Sequence, residues 1–503
     1  MAAATIAPAS RPSIAAAATA RRGGSIRIAL KDASPTDSLD PATWPAGFTQ
    51  TAFNGSVYNN LTELAADGSV VPDLAETFEP ADKASKWIFR LRHGLTFHNG
   101  REVRPADVVE SIHYHLAPSS ASGARPLLKD IERIEIDGAN TVTFTLRTAN
   151  VDFPYLMADY HLSIMPSLPR GGIDWHSGIG TGAFSLHHFE PGVSARLMRN
   201  THYHKSGKPY FDEVEFLGIA DDAARSNALN TGEIDYMNDC DPKTLALIAR
   251  TPGLVVNRVP SGRHWTFDMN TGKPPFDNVH VRTALKLALD RAEIVRKVYL
   301  DEERIADDNP IVPSMQYWRE TPPRHLYDPA LAREHLRKAG LTTLTVDLSV
   351  SEAGFPGAVA AAELYREQAA RAGIEIRIIR EADDGYWENV WLRKAFSACD
   401  WYGRPTCGMQ FSTVYASDAP WNNTHWKNAR FDQLLHAAEG EDDEIERAAQ
   451  YGQMQQILHD EGGVIVVAFA SYISAHSSRL AHGSVGCQLP NDNLRMAERW
   501  WLA

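Results

Sequence analysis

The stretch at 72–112, PDLAETFEPADKASKWIFRLRHGLTFHNGREVRPADVVESI, carries three local signals in a set order. Trp87, Phe89 and Leu91 alternate with Ile88, Arg90 and Arg92. Period two puts the first three on one face, the pattern of a half-buried strand. His98-Asn99-Gly100 then predicts a turn, because Gly accepts the positive φ that tight turns require. Pro105-Ala106-Asp107 predicts a helix start. Proline is pre-set for the first helical position, and Asp107 stands near the positive end of the helix dipole.

Further along, strand and helix signals keep mixing. Thr141–Leu146 alternates as a strand. Val281, Ala284, Leu285 and Ala288 fall at i, i+3, i+4 and i+7, one face of a helix. Pro356-Gly357 precedes a helical run that Gly373 closes at the C-cap position. Ile374, Ile376 and Ile378 then alternate as the next strand. Helix followed by strand is the unit of a layered α/β lobe. The chain has 503 residues, too many for one core, so two or three domains are expected. Its apolar share of 44% and charged share of 22% are ordinary for a globular protein. A net charge of −13 argues against nucleic acid, which calls for a basic stripe, and against a polybasic membrane surface. No apolar run reaches the ~18 residues of a membrane helix. Residues 1–20 are Ala-rich and end in Ala18-Thr19-Ala20 before Arg21-Arg22. That reads as an export leader with an A-x-A cleavage site; the two arginines follow the apolar stretch, the wrong place for a twin-arginine signal. The four cysteines are Cys240, Cys399, Cys407 and Cys487. Three full pairings are open, with Cys399–Cys407 the easiest to close, and free buried thiols are the default.

Together PDLAE, W-x-F-x-LR-x-G, F-H-N-G and P-A-D-V-V-x-S-I resemble a signature of the extracytoplasmic solute-binding proteins of family 5, the peptide, nickel and opine binders of ABC transporters. Gly24-Ser25-Ile26-Arg27-Ile28-Ala29 and Ser38-Leu39-Asp40-Pro41 look like that family's first strand and the loop after it. Gly180-Thr181-Gly182-Ala183-Phe184, Glu190-Pro191-Gly192 and Arg199-Asn200 look like its return crossing. Met269-Asn270 and the run from Pro275 to Leu285 look like the helix entry of its C-terminal lobe. The resemblance implies an α/β fold, the two-lobed periplasmic-binding-protein fold with a hinge and an extra inserted α+β domain. Lobe I is then 21–50, 175–262 and 469–503; the inserted domain is 51–174; lobe III is 263–468. Hinge strands are expected near 258–262 and 467–470, with ligand between the lobes, which close by hinge motion. It further implies a periplasmic monomer that captures a small molecule and delivers it to a cognate ABC permease in the inner membrane, with no cofactor and no nucleic acid.

Catalytic motifs are absent: there is no G-x-x-x-x-G-K-[ST], H-E-x-x-H, G-x-S-x-G or G-x-G-x-x-G. The acid pairs Asp221-Asp222, Asp307-Asp308 and Asp383-Asp384 read as solvated. The pairs His113/His115, His187/His188 and His202/His204 read as local hydrogen-bonding residues rather than metal ligands, and no metal is assigned. The cleft candidates are aromatic. Trp401 stands where a strand runs out into a loop, the place where ligands collect in open α/β sheets. Tyr386, Trp387 and Phe355 are expected to wall the same site, since large rigid aromatics supply contact area at little entropic cost; core packing is the alternative. His264 and Gln410 are offered as hydrogen-bonding partners. In peptide binders of the family the stretch matching Trp401-Tyr402-Gly403-Arg404 reads Trp-x-x-Asp, and that Asp holds the peptide's amino terminus. Arg404 replaces it. A cation favours a carboxylate or phosphate, ideally as a bidentate fork; the alternative is a surface arginine turned away. The expected ligand is a small polar organic solute with an anionic group, opine-like or acidic-peptide-like. Two other readings stay open: a general di- or oligopeptide binder with Asp37 or Asp40 taking the amine, and a hydrolase on the same scaffold. Asp400 reads as buried beside its strand.

Overall fold

The computed structural model describes residues 20–44, 47–419 and 421–503. The leader expected over residues 1–20 lies, apart from Ala20, outside the described residues.

The strand and turn signals become a small antiparallel sheet. Lys86–Leu91 forms a strand whose Trp87, Phe89 and Leu91 are buried while Arg90 is exposed. It lies between Ala75–Ala81 and Thr141–Leu146, with Ile131–Ile136 beyond the latter. Gly100 takes φ +82° in the following turn, closed by Gly100 N donating to Phe97 O at 2.8 Å. The helix Pro105–Leu116 starts at the proline, and Asp107 Oδ2 accepts from Arg104 N at 2.8 Å. Asp107 Oδ1 also accepts from Ser167 N at 2.8 Å, so one acid both caps the helix and pins a distant segment. Val108, Ile112, Phe144 and Phe153 close a core of their own over this sheet.

The rest of the chain builds around one large mixed sheet of eleven strands. Its spine is a pair of long antiparallel strands, Leu254–Met269 and Val464–Ser477. Their outer halves belong to the first lobe, where Tyr236–Met237 pairs with the second and in turn joins the parallel strand Ser25–Leu30. Their inner halves belong to the other lobe, where Phe396–Trp401 pairs with the first of the two and meets the parallel pair Leu344–Val350 and Ile374–Arg380. The register of the long pair slips between Pro260 and His264. A bulge bends a strand and raises its local twist, so the sheet changes direction at that point. The helical signals are realised: Val281, Ala284 and Leu285 of Val279–Leu287 are fully buried, and Gly373 takes φ +78° between Ala358–Ala370 and its following strand.

The motif Gly180-Thr181-Gly182 has a steric reason. A Cβ at Gly180 would fall 2.0 Å from Val57 O, and one at Gly182 would fall 2.2 Å from Ser56 O. Only glycine lets the two backbones lie against each other, which joins the inserted domain's entry segment to the first lobe.

One reading of a single residue needs correction, that of Asp308; the free thiols and the hydrogen-bonded His115 are as expected. Asp308 is fully buried rather than solvated; it accepts from Arg291 Nη2 at 2.6 Å and from Val466 N at 3.0 Å. Cys399 and Cys407 are free thiols, as are Cys240 and Cys487; Cys407 Sγ contacts Gln316 O at 3.2 Å. His115 is buried and hydrogen-bonded to Ser122 Oγ at 2.7 Å, a satisfied core histidine that burial pushes down to about 4.

Candidate functional site

The two lobes face each other where the sheet bends. On the first lobe the chain leaves the parallel strand Ser25–Leu30 into Asp32, and leaves Tyr236–Met237 into Asp239. These are carboxyl ends of neighbouring strands, the crevice where open α/β sheets place ligands. The Asp32 carboxyl is raised, first by burial and then by the charge of Asp239; Lys31, Arg263 and Arg225 pull it the other way. Arg263 lies on the long strand, in the facing wall.

That wall is built by pairing register. Trp265 lies opposite Asp400, and His264 opposite Trp401. Arg263, one residue earlier, reaches Asp400 with Nε at 3.1 Å from Oδ1 and Nη2 at 2.5 Å from Oδ2. Its guanidinium also lies 4.7 Å from the Trp265 ring centroid and 4.6 Å from that of Tyr402. The cation is therefore paired with a carboxylate and in cation–π contact with two rings. Burial works against the charged form of Arg263, and Asp400 and Tyr402 outweigh it, so its pKa is raised well above the ordinary value. Tyr402 keeps 47% of its surface exposed. Arg263 pulls the Tyr402 phenol down, but burial together with Asp400, Asp239 and Asp32 holds it above its usual value. Tyr402 is thus within electrostatic reach of both acids of the opposite lobe.

Arg404 follows on the same loop. Its backbone N donates to Gln410 Oε1 at 3.1 Å. Its guanidinium lies 5.2 Å from the Trp421 ring centroid, and its Nε is buried without a hydrogen-bond partner. Opposite stands Asp159, bonded to His161 Nδ1 at 2.6 Å. Burial opposes the Asp159 carboxylate; His161, and after it Arg404, hold it below the usual range. A cavity of about 380 Å³ is lined by Leu156, Asp152, Met409 and Glu439 among others, and by Trp421, the ring against which Arg404 lies. Ligand pockets of a few hundred cubic ångströms suit small organic molecules. Two direct bonds join the segments around the cavity. Thr406 Oγ1 donates to Asp152 Oδ2 at 2.5 Å, and Val151 N donates to Glu439 O at 2.9 Å.

The other sequence candidates divide between wall and core. Trp401 is almost fully buried, in the cluster with Val312, Phe411 and Phe469. Trp391 links it edge-on, at 6.3 Å, to a chain that ends in the half-exposed Trp387. Phe355 is a core residue, stacked on Trp265 at 5.6 Å and surrounded by Phe267 and its neighbours. Tyr386 is likewise buried, and its hydroxyl donates to Ala398 O at 2.8 Å. Both are taken by packing in the second lobe, which is the correction to their reading as cleft walls. His264 is fully buried; its Nδ1 bonds Gly262 O at 2.8 Å, and burial lowers it to about 4. Gln410 is buried and acts by holding the backbone of Arg404. Asp40 accepts from Ala42 N and from the Tyr114 hydroxyl, both at 2.9 Å. Asp37 Oδ2 accepts from Ser34 N at 2.9 Å, while its Oδ1 is buried without a hydrogen-bond partner. Both carboxylates are thus engaged locally, Asp37 through one oxygen only. Sequence reasoning passed over Asp32, Asp239, Arg263, Tyr402 and Trp421. No motif marks them; they meet only through strand register and lobe apposition.

Residues 69–423 match the bacterial extracellular solute-binding proteins, family 5. The chain belongs to that family. Over 488 residues it is 27% identical to a di/tripeptide-binding protein of Pseudomonas aeruginosa, with 88% of this chain and 89% of that protein covered. Among solved structures it superposes on a Helicobacter pylori periplasmic binding protein in complex with the peptide STSA, at TM-score 0.79 and 22% identity, covering 96% of this chain and 98% of the other. It superposes equally on an Agrobacterium protein in complex with agropinic acid, at TM-score 0.80 and 21% identity, covering 95% and 99%. These superpositions bear on the fold: two lobes of the periplasmic-binding type. As a family 5 member the chain is a solute-binding protein, and no helix among the described residues is long and apolar enough to cross a membrane.

Proposed function

We propose that this protein is the solute-capturing component of an ABC importer, working as a monomer outside the cytoplasmic membrane and handing its ligand to a cognate permease. The ligand is a small polar solute of about di- or tripeptide size that carries a carboxylate. One observation supports that assignment: the Arg404 Nε is buried without a hydrogen-bond partner. A buried cation without a full set of partners is costly, and a carboxylate supplies the missing acceptors in a planar fork. The relatives named above for di- and tripeptides fit this size, and a sugar–amino-acid conjugate of the opine kind fits the same chemistry.

A second reading rests on the facing acids. Burial, and after it the charge of Asp239, raises the Asp32 carboxyl, and both acids lie within electrostatic reach of Tyr402. A ligand ammonium would relieve that repulsion, which would make the protein a general dipeptide binder that holds the amine from the first lobe. Titration calorimetry with a panel of di- and tripeptides, their C-terminal amides and their N-acetyl forms separates the two. On the first reading amidation abolishes binding and acetylation is tolerated. Arg404→Ala then loses about 2–5 kcal/mol, typical for truncating one partner of a buried charge pair, or roughly 30-fold to several-thousand-fold in affinity. Binding of the Arg404→Ala protein within about threefold of wild type overturns the carboxylate assignment.

A further inference from the structure

The second lobe holds a cluster of chemistry that ligand capture does not use. Asp307, His325 and His459 each offer a donor atom, and these atoms lie within 4.8 Å of one another. The two imidazoles are parallel, with centroids 4.0 Å apart and an interplanar angle of 5°. Each has one ring nitrogen engaged by a carboxylate. His325 Nδ1 lies 2.9 Å from Asp308 Oδ2, and His459 Nδ1 lies 2.8 Å from Asp460 Oδ1. His459 is fully buried, and its Nε2 makes no hydrogen bond; it faces Asp307 Oδ1 at 3.5 Å. Asp307 is turned towards it by Arg324 Nε, which holds the other oxygen, Oδ2, at 3.1 Å. An imidazole whose far nitrogen donates to a carboxylate, and whose near nitrogen points at a further acid, is the arrangement that surrounds bound metals.

We propose that Asp307 Oδ1, His325 Nε2 and His459 Nε2 bind a divalent transition-metal ion, with Asp308 and Asp460 as the outer carboxylates that orient the two rings. Two nitrogens and one carboxylate oxygen suit zinc and its neighbours rather than calcium or magnesium, which take oxygen ligands. The positive groups nearby are already committed. Arg291 pairs with Asp308 at 2.6 Å, and Lys286 Nζ donates to His459 O at 2.6 Å. A cavity of about 280 Å³ reaches Asp307 past Asn309, Trp318, Thr321 and Arg324. The donors must draw in by roughly an ångström to reach bonds of ~2 Å. Asp307 and His325 lie in the run between the strand Arg304–Ile305 and the helix Pro329–Lys338, a run without regular structure that can make that adjustment. The ion would clip this run to the end of the helix Glu444–Glu461, fixing the flank of the hinge strands from outside the ligand cleft.

The test uses the untagged full chain, stripped with a chelator and dialysed. Cobalt is added while the visible ligand-field absorption is read; zinc is added in a calorimeter and in a melting experiment. One ion per chain and a higher melting temperature are expected. His459→Gln should remove the absorption band. Asp460→Asn, a half-exposed outer carboxylate whose loss leaves the core intact, should weaken zinc by about 10–100-fold. A wild-type chain that gives no cobalt band and no melting shift overturns the proposal. Zinc binding that persists unchanged in both variants also overturns it, because the ion then sits elsewhere.

Discussion

Arg495 and its partners show how much a single buried charge can carry. Its guanidinium reaches Glu63 at 2.8 Å, Asp73 at 2.9 Å and Glu498 at 3.2 Å. Lys205 adds a second cation, 2.5 Å from Glu63 and 3.2 Å from Glu498. Glu63 lies on the strand Thr62–Leu64 and Asp73 just after the strand Val70–Pro72, while Arg495 and Glu498 lie near residue 503, so the network ties distant parts of the chain together. Breaking a buried pair by removing one member leaves the other uncompensated, at a cost of about 3–5 kcal/mol. Arg495→Met is expected to lower the unfolding free energy by that order in urea titration. Burial opposes the Glu498 and Asp73 carboxylates, but Lys205 and Arg495 outweigh it and hold both well below the usual carboxylate range. Both acids bind protons less readily folded than unfolded, so their stabilisation is complete above the ordinary carboxylate range and is lost as pH falls below it. Melting curves between neutral and acid pH should show that loss in wild type and a shallower one in Arg495→Met.

At the scale of elements, the loop that carries Tyr402 and Arg404 is placed by a backbone contact with the hinge strand. A Cβ on Gly403 would fall 2.8 Å from Gly262 Cα and 3.0 Å from Gly262 O. No flexible side chain is there to give way, so the loop or the bulge must move. Overpacking of this kind costs about 1–3 kcal/mol. Gly403→Ala should therefore lower the melting temperature and weaken ligand together, because the shift displaces the Arg404 backbone from Gln410. A variant with wild-type stability and affinity would show that the loop leaves the hinge strand more freely than this contact allows. Gly403 was legible in sequence only as part of a family pattern. Its reason, two backbones in contact, depends on the Trp265–Asp400 register.

Across the whole molecule, the inserted domain meets the second lobe through acids. Burial pushes the Glu439 carboxyl up to about 7, helped by Asp152 and Asp130, and burial also raises Asp152. A carboxyl raised in the folded form stabilises that form while it is protonated. The contribution is complete below the ordinary carboxylate pKa and is lost as pH rises through about 7 for Glu439. Glu439→Gln stays neutral at every pH. It should raise the melting temperature more at pH 8 than at pH 5, which differential scanning calorimetry reads directly. Equal shifts at both pH values would remove Glu439 from any pH dependence of this contact.

The chain's own pattern determined the parts that depend on neighbours in sequence. The alternation of Trp87, Phe89 and Leu91 and the proline and Asp107 at a helix start are local rules of strand and cap. They sufficed for the fold class, for the family resemblance and for the unusual arginine at 404. Phe355 and Tyr386 were misread because an aromatic at an element's edge looks the same whether it faces a core or a cleft; only the layer packed against it decides. Asp308 was misread because its partners Arg291 and Val466 come from other elements. Arg263, Asp32 and Asp239 became visible only when strand register and the bend of the sheet set them face to face. Burial and charge pairing act through space, between segments hundreds of residues apart, and so belong to the tertiary structure alone.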